Sequence, residues 1–93
     1  MIVGVFYFEL YIPGSSSRKD KRSVLNSIKQ KLKNSHNIAV SEVDFQDKLA
    51  RTALGISTVS LKESDVNKTY DAIYKQISEE YAVQIVRAEK DFC

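Results

Sequence analysis

From Met1 to Ile12 the chain alternates. Ile2, Phe6, Phe8, Leu10 and Ile12 fall on one side of a period-two pattern, and Val3, Val5, Tyr7, Glu9 and Tyr11 on the other. That period, with its aromatic and β-branched content, predicts a strand. Pro13-Gly14 ends it, and Ser15, Ser16 and Ser17 form a short polar loop. Ser17 followed by Asp20 marks a helix start with an acid in the first turn. Val24, Leu25, Ile28 and Leu32 then recur at helical spacing, so an amphipathic helix is predicted over 18–34.

"NIAVSEVDFQ" (37–46) and "RTALGISTVSLK" (51–62) read as two further strands, joined by a tight connection around Gln46–Leu49. Both change phase midway: Ile38 and Val40 give way to Val43 and Phe45, and Leu54 and Ile56 to Val59 and Leu61. A bulge or strong coil in a long hairpin is expected to absorb each change. Ser64 is the expected cap of a second helix with the apolar stripe Val66, Tyr70, Ile73, Ile77 and Tyr81. "AVQIVRAEK" (82–90) supplies a fourth strand. The order βαββαβ, with right-handed crossovers, places both helices on one face of a four-stranded antiparallel sheet in the order 4-1-3-2. This is a ferredoxin-like α+β sandwich, expected to form one domain over residues 1–93. The fold hosts many unrelated functions and decides none by itself.

Composition adds little until the charge is mapped. The 93 residues suffice for one core, and 43% hydrophobic with 28% charged residues describes an ordinary globular chain. The net charge of +2 is unevenly spread: residues 1–37 carry +5 and residues 38–93 carry −3. Cys93 is the single cysteine, so no internal disulfide is expected. The apolar opening contains Glu9, has no basic stretch before it and falls short of the ~20 residues of a membrane helix. Neither a signal peptide nor a membrane segment is expected, and a cytoplasmic protein is the simplest inference.

With the elements placed, particular residues carry a resemblance. Lys21-Arg22-Ser23 open the first helix; Asn37, Val40-Ser41, Glu42-Val43-Asp44, Gln46-Asp47, Arg51, Ala53, Leu54 and Gly55 follow. This pattern resembles the YlxP-like family of bacterial domains, with two departures. Lys48-Leu49 stand where a tryptophan or other bulky apolar residue is common, and His36 stands where an aromatic residue is usual. The resemblance implies a ferredoxin-like fold and no established enzymatic activity. Family members often sit beside translation-initiation and ribosome-maturation genes, which implies an RNA- or ribosome-associated role.

Three candidate sites follow from the residues. The first is the acidic stretch "SEVDFQDKLAR", where Glu42 and Asp44, two apart in a strand, are expected to project from one face with Asp47 nearby. Such a group can hold a hard cation or act as general acid and base, and a metal-dependent hydrolase is the corresponding reading. A plainer reading is preferred: Asp44 pairs with Arg51 across the hairpin and Lys48 neutralises Asp47. No ligand set, nucleophile–base pair or Gly-rich phosphate loop accompanies the acids, so neither catalytic residue, metal nor cofactor is assigned. Gln46 belongs to the same motif.

The second candidate is the first helix, which carries seven Lys/Arg and one acid. Arg18, Lys21, Arg22 and Lys29 repeat at three, four and seven, and Lys19 adds to the charge. Such a row neutralises phosphates and gives sequence-independent nucleic-acid affinity. "GSSSRKDK" lacks the second glycine and the Lys-Ser/Thr pair of a phosphate-binding P-loop. The third candidate is the sheet face away from the helices, where Val3, Val5, Tyr7 and Tyr11 suit self-association as a homodimer. An RNA-stacking platform there lacks aromatics on the third strand. The leading expectation is a non-enzymatic module that binds RNA or the ribosome through its basic first helix. The alternative is a dimeric regulatory or scaffold protein that binds a protein or small molecule through its open face.

Overall fold

The computed structural model describes residues 1–80 and 83–93. Its elements are β1 (Ile2–Tyr11), α1 (Arg18–Ser35), β2 (Ala39–Asp44), β3 (Arg51–Ser60), α2 (Glu63–Glu80) and β4 (Gln84–Phe92). The strands lie side by side as β2-β3-β1-β4, every neighbouring pair antiparallel. Read from the other edge, this is the expected 4-1-3-2 order. The architecture is the ferredoxin-like α+β sandwich.

The two periodicities build the core. Phe6, Phe8, Leu10 and Ile12 of the β1 segment meet Leu54 and Ile56 of β3, and Leu25, Ile28 and Leu32 of α1 cover them together with Val66, Ile73 and Ile77 of α2. Full burial of each such side chain stabilises the fold by ~1.5–3 kcal/mol before chain entropy is counted. Tyr70 packs on Phe6 and Phe8, with ring centroids 5.2 and 5.5 Å apart. Gly4 lets α2 sit close to the sheet, since a Cβ there would lie 2.3 Å from Val66 Cγ1. Tyr81, expected on the stripe of α2, lies outside the described residues.

The helix starts differ from one another. Ser17 caps α1: its Oγ accepts the Asp20 N–H at 3.0 Å, and the Asp20 carboxylate accepts the Ser16 N–H at 3.3 Å. Helix α2 begins at Glu63, so Ser64 sits inside its first turn instead of capping it. The Lys62 carbonyl takes the Asp65 and Val66 N–H groups, and the Ser60 hydroxyl donates to the Asp65 carboxylate. No helix among the described residues is long and apolar enough to cross a membrane.

The expected phase changes divide. Strand β2 does slip against β3, between Glu42 and Asp44. Strand β3 does not: it pairs with β1 without a break from Ile2↔Ser60 to Tyr11↔Arg51. Val59 therefore stays on the open face and Leu61 follows the strand into solvent, both exposed. Strand β4 slips against β1 between Glu9 and Leu10, a break with no counterpart in the sequence reading.

Candidate functional site

One end of the sandwich gathers the tip of the β2–β3 hairpin, the end of β1 and the start of α1. The Asp44 carboxylate accepts the N–H of Phe45 at 2.7 Å, and a turn closes where the Lys48 N–H reaches the Phe45 carbonyl at 3.0 Å. Phe45 holds a φ of 62°, in the left-handed region. For a residue with a Cβ this conformation costs roughly 1–2 kcal/mol, so the surroundings must hold it. The tip is also anchored to the loop after β1. Ser15 Oγ donates to the Leu49 carbonyl at 2.5 Å, and the Ile12 N–H donates to the Ala50 carbonyl at 2.7 Å.

Lys21 supplies the remaining clamp. Its Nζ donates to the carbonyls of Phe45 and Lys48, each at 2.6 Å, and lies 3.0 Å from Glu42 Oε2. An ammonium has three donors, and all three are taken. The same Glu42 oxygen accepts the hydroxyl of fully buried Thr52 at 2.6 Å. Lys21 is thus a buried, paired residue rather than an exposed cation in a row. Its position was readable: residues 21, 25, 28 and 32 fall on one helical stripe, and the last three are core.

Around this clamp lies a cleft of about 220 Å³ between α1 and the hairpin tip, lined by Arg18, Arg22, Asn26, Lys29, Gln46 and Lys48, with Leu25 and Leu49 beneath. Among the described residues Arg18, Arg22, Lys29 and Lys48 have no ion-pair partner. Glu42 is the one acid in the lining, and Lys21 neutralises it. Positions 18, 22, 26 and 29 share one face of α1, as the three-four-seven spacing requires. Lys19 is exposed and outside that lining. Two of these cations stand in the first turns of α1, where the helix dipole already presents positive charge and stability favours acids.

The acids do not converge. The slip in β2 sets Glu42 opposite Leu54 and Asp44 opposite Ala53, on opposite faces of the sheet. The expectation that Glu42 and Asp44 project together is thereby corrected, because one extra residue reverses every side chain beyond it. The Asp44–Arg51 pair is corrected with it. Arg51 pairs Tyr11 in register, and its Nη1 donates to Glu9 Oε2 at 2.6 Å. Asp47 is exposed, and no ion pair joins it to Lys48. Among the described residues no group of three or more His, Cys, Asp or Glu side chains is placed to hold a metal ion.

Val3, Val5, Tyr7 and Tyr11 share the open face, as their alternation requires, but charge crosses that face. Glu9, Asp44, Arg51, Arg87 and Glu89 stand among them by register. Arg87 pairs with Glu89 and lies 5.7 Å from the centre of the Tyr7 ring. Desolvation, then the Glu9 and Asp44 carboxylates, push the Tyr7 hydroxyl above its ordinary pKa, with Arg87 opposing. Cys93 is exposed, its N–H bonded to the Val3 carbonyl, and His36 ends α1.

Strand β3 carries no aromatic residue, as its sequence shows, but an aromatic pair stands elsewhere. Tyr11 and Phe45 line a second cavity of about 430 Å³ with Lys48, Leu49, Ala50 and Arg51, on the far side of the tip from the cationic cleft. Phe45 enters it because its backbone has left the strand, which alternation along "SEVDFQ" does not indicate. The Arg51 guanidinium lies 5.8 Å from the Phe45 ring centre.

With this geometry in view, the chain's relatives can be set beside it. A family model described as "Protein of unknown function (DUF503)" matches residues 3–90. The chain is 34% identical over 67 residues to "Uncharacterized protein YlxP" of Bacillus subtilis (strain 168), spanning 72% of this chain and 73% of that relative. The match takes in nearly every residue from β1 to β4, clamp and cleft included, and the chain belongs to the DUF503 family, of which the YlxP resemblance is an expression.

Proposed function

We propose that this protein is a non-enzymatic RNA-binding module whose contact surface is the cleft between α1 and the hairpin tip, with ribosomal RNA among the structured RNAs it would take. One observation carries the reading: Arg18, Arg22, Lys29 and Lys48 surround a single cleft with no ion-pair partner among the described residues, and its one acid is held by Lys21. Fold stability gives no reason to place cations at the positive end of a helix dipole, whereas an anion there gains from both. A phosphate backbone offers repeated anions at a spacing that several such cations can meet, with release of its counterions. The acids play no chemical part in this reading, since Glu42 is bound up in the clamp and Asp44 faces away.

Fluorescence anisotropy against a structured RNA, at low and moderate salt, tests it. Arg22→Glu should lose most of the affinity while keeping the wild-type circular dichroism and unfolding midpoint. Equal affinity for the two proteins would overturn the reading.

A further inference from the structure

The cationic cleft and the aromatic cavity share two residues, Lys48 and Leu49, which form the ridge between them. On one side of the ridge stand the unpaired cations. On the other, Tyr11 and Phe45 stand with the Arg51 guanidinium beside the Phe45 ring, and Tyr11 is 39% exposed. We infer that the Tyr11–Phe45–Arg51 cavity takes the base of an unpaired nucleotide from an RNA strand whose phosphates lie along the cationic cleft. This rests on the RNA-binding reading and adds to it a second subsite and a preference for single strands.

Four features support the assignment. Aromatic rings and guanidinium planes are the surfaces on which proteins stack unpaired bases, and all three groups line one cavity. Paired bases have no face free to enter it. Lys48 and Leu49 line both cavities, so a strand that crosses them can put phosphate on one side and base on the other. Finally, the Phe45 ring is aimed there by a backbone in the left-handed region, whose carbonyl is gripped by Lys21. The same clamp that closes the cationic cleft therefore sets the ring, which makes Lys21 a positioning residue for both subsites.

The test compares a single-stranded RNA oligonucleotide with the duplex it forms with its complement, by anisotropy at one salt concentration. Wild type should favour the single strand. Tyr11→Ala should weaken single-strand binding by about five-fold to a hundred-fold, the range associated with losing one stacked base, and leave duplex binding unchanged. Tyr11→Phe should keep the wild-type preference. Phe45→Asn removes the second ring while supplying a side chain that tolerates left-handed backbone, and should act as Tyr11→Ala does. Circular dichroism identifies the folded variants. A matching DNA strand bound equally well would support the stacking site, since stacking does not read the 2′-hydroxyl. Wild-type single-strand affinity in folded Tyr11→Ala and Phe45→Asn, with Arg22→Glu still impaired, would overturn the base subsite and leave the phosphate cleft standing. Failure of the wild type to bind either RNA form at low salt would overturn both.

Discussion

The Lys21 ammonium lies 3.0 Å from the Glu42 carboxylate, with 7% and 18% of the two side chains left exposed. This pair joins the first helix to the hairpin across a gap of 21 residues in sequence, and it separates two kinds of cation on α1. Lys21 is spent internally on Glu42 and two carbonyls. Arg18, Arg22 and Lys29 keep their charge outward, and what separates them from Lys21 is position on the helix rather than sign of charge.

Removing the ammonium should therefore damage the fold more than any surface change on α1. Lys21→Met leaves the Glu42 charge and two backbone carbonyls short of a partner, and a loss of about 3 kcal/mol is expected. Adding Glu42→Gln, which neutralises the charge and can still accept from Thr52, should restore part of that loss. Urea unfolding of the two single variants and the double variant measures the coupling. Additive effects would show that the pair does not act as a unit.

The fold was legible because its signals were strong and local. The alternation in β1 and the stripes in both helices follow from burial of apolar area at one period, and Ser17 caps α1 as its residue type suggests, whereas Ser64 does not cap α2. The site was legible only in part. Glu42 continues the phase of Val40, so its inward direction is implied, and the phase change after it marks a real slip. In β3 the same kind of change meant nothing, because Val59 and Leu61 simply remain exposed. What decides between the two cases is pairing with β1, a long-range relationship that no short window contains.

That slip relocates an ion pair, and the relocation can be measured. A double-mutant cycle on Glu9→Gln and Arg51→Ala should give a coupling of ~0.5–1 kcal/mol, held near the exposed-pair range because Arg51 is partly solvated. The matching cycle on Asp44 and Arg51 should give a coupling near zero. The reverse ranking would return Arg51 to the hairpin partner that sequence alignment of the two strands suggests.

Gly4 offers a test of the packing between α2 and the sheet. Gly4→Ala drives a methyl group into Val66 Cγ1, where the valine is fully buried and has little room to turn. Overpacking of this kind costs about 1–3 kcal/mol. Val66→Ala alone also destabilises, by opening a cavity, but Gly4→Ala with Val66→Ala should be more stable than the sum of the two losses. Thermal or urea unfolding of the set checks the sign. By contrast Gly55→Ala meets Val43, whose side chain is half exposed and can move aside.

Alkaline stability should report on the open face. The Tyr7 pKa is raised in the folded protein, first by desolvation and then by the Glu9 and Asp44 carboxylates, and Tyr70 is raised first by desolvation. A raised folded pKa means that the native state holds its proton more tightly than the unfolded chain does. The resulting stability is present in full below the unfolded tyrosine pKa of about 10 and is lost as pH rises from there through the folded value. Tyr7→Phe should flatten part of that alkaline decline and leave the profile at neutral pH unchanged. Urea midpoints collected from neutral to strongly alkaline pH decide it.

The cationic cleft makes a quantitative prediction about salt. Each phosphate contact contributes about 0.7 to the slope of log affinity against log salt for a single strand, and about 0.9 for a duplex. Arg18→Ala, Arg22→Ala and Lys29→Ala should each reduce the slope by about that amount. Lys68→Ala serves as the comparison: it is exposed on α2, outside the cleft lining. Its slope should match the wild type. If all four substitutions lowered the slope alike, the affinity would belong to the overall charge of the protein rather than to the cleft. If none did, phosphate contact would not be the source of binding. A graded result, with Arg18, Arg22 and Lys29 changing the slope and Lys68 leaving it intact, is expected, because only the cleft cations share one surface on which a backbone can lie.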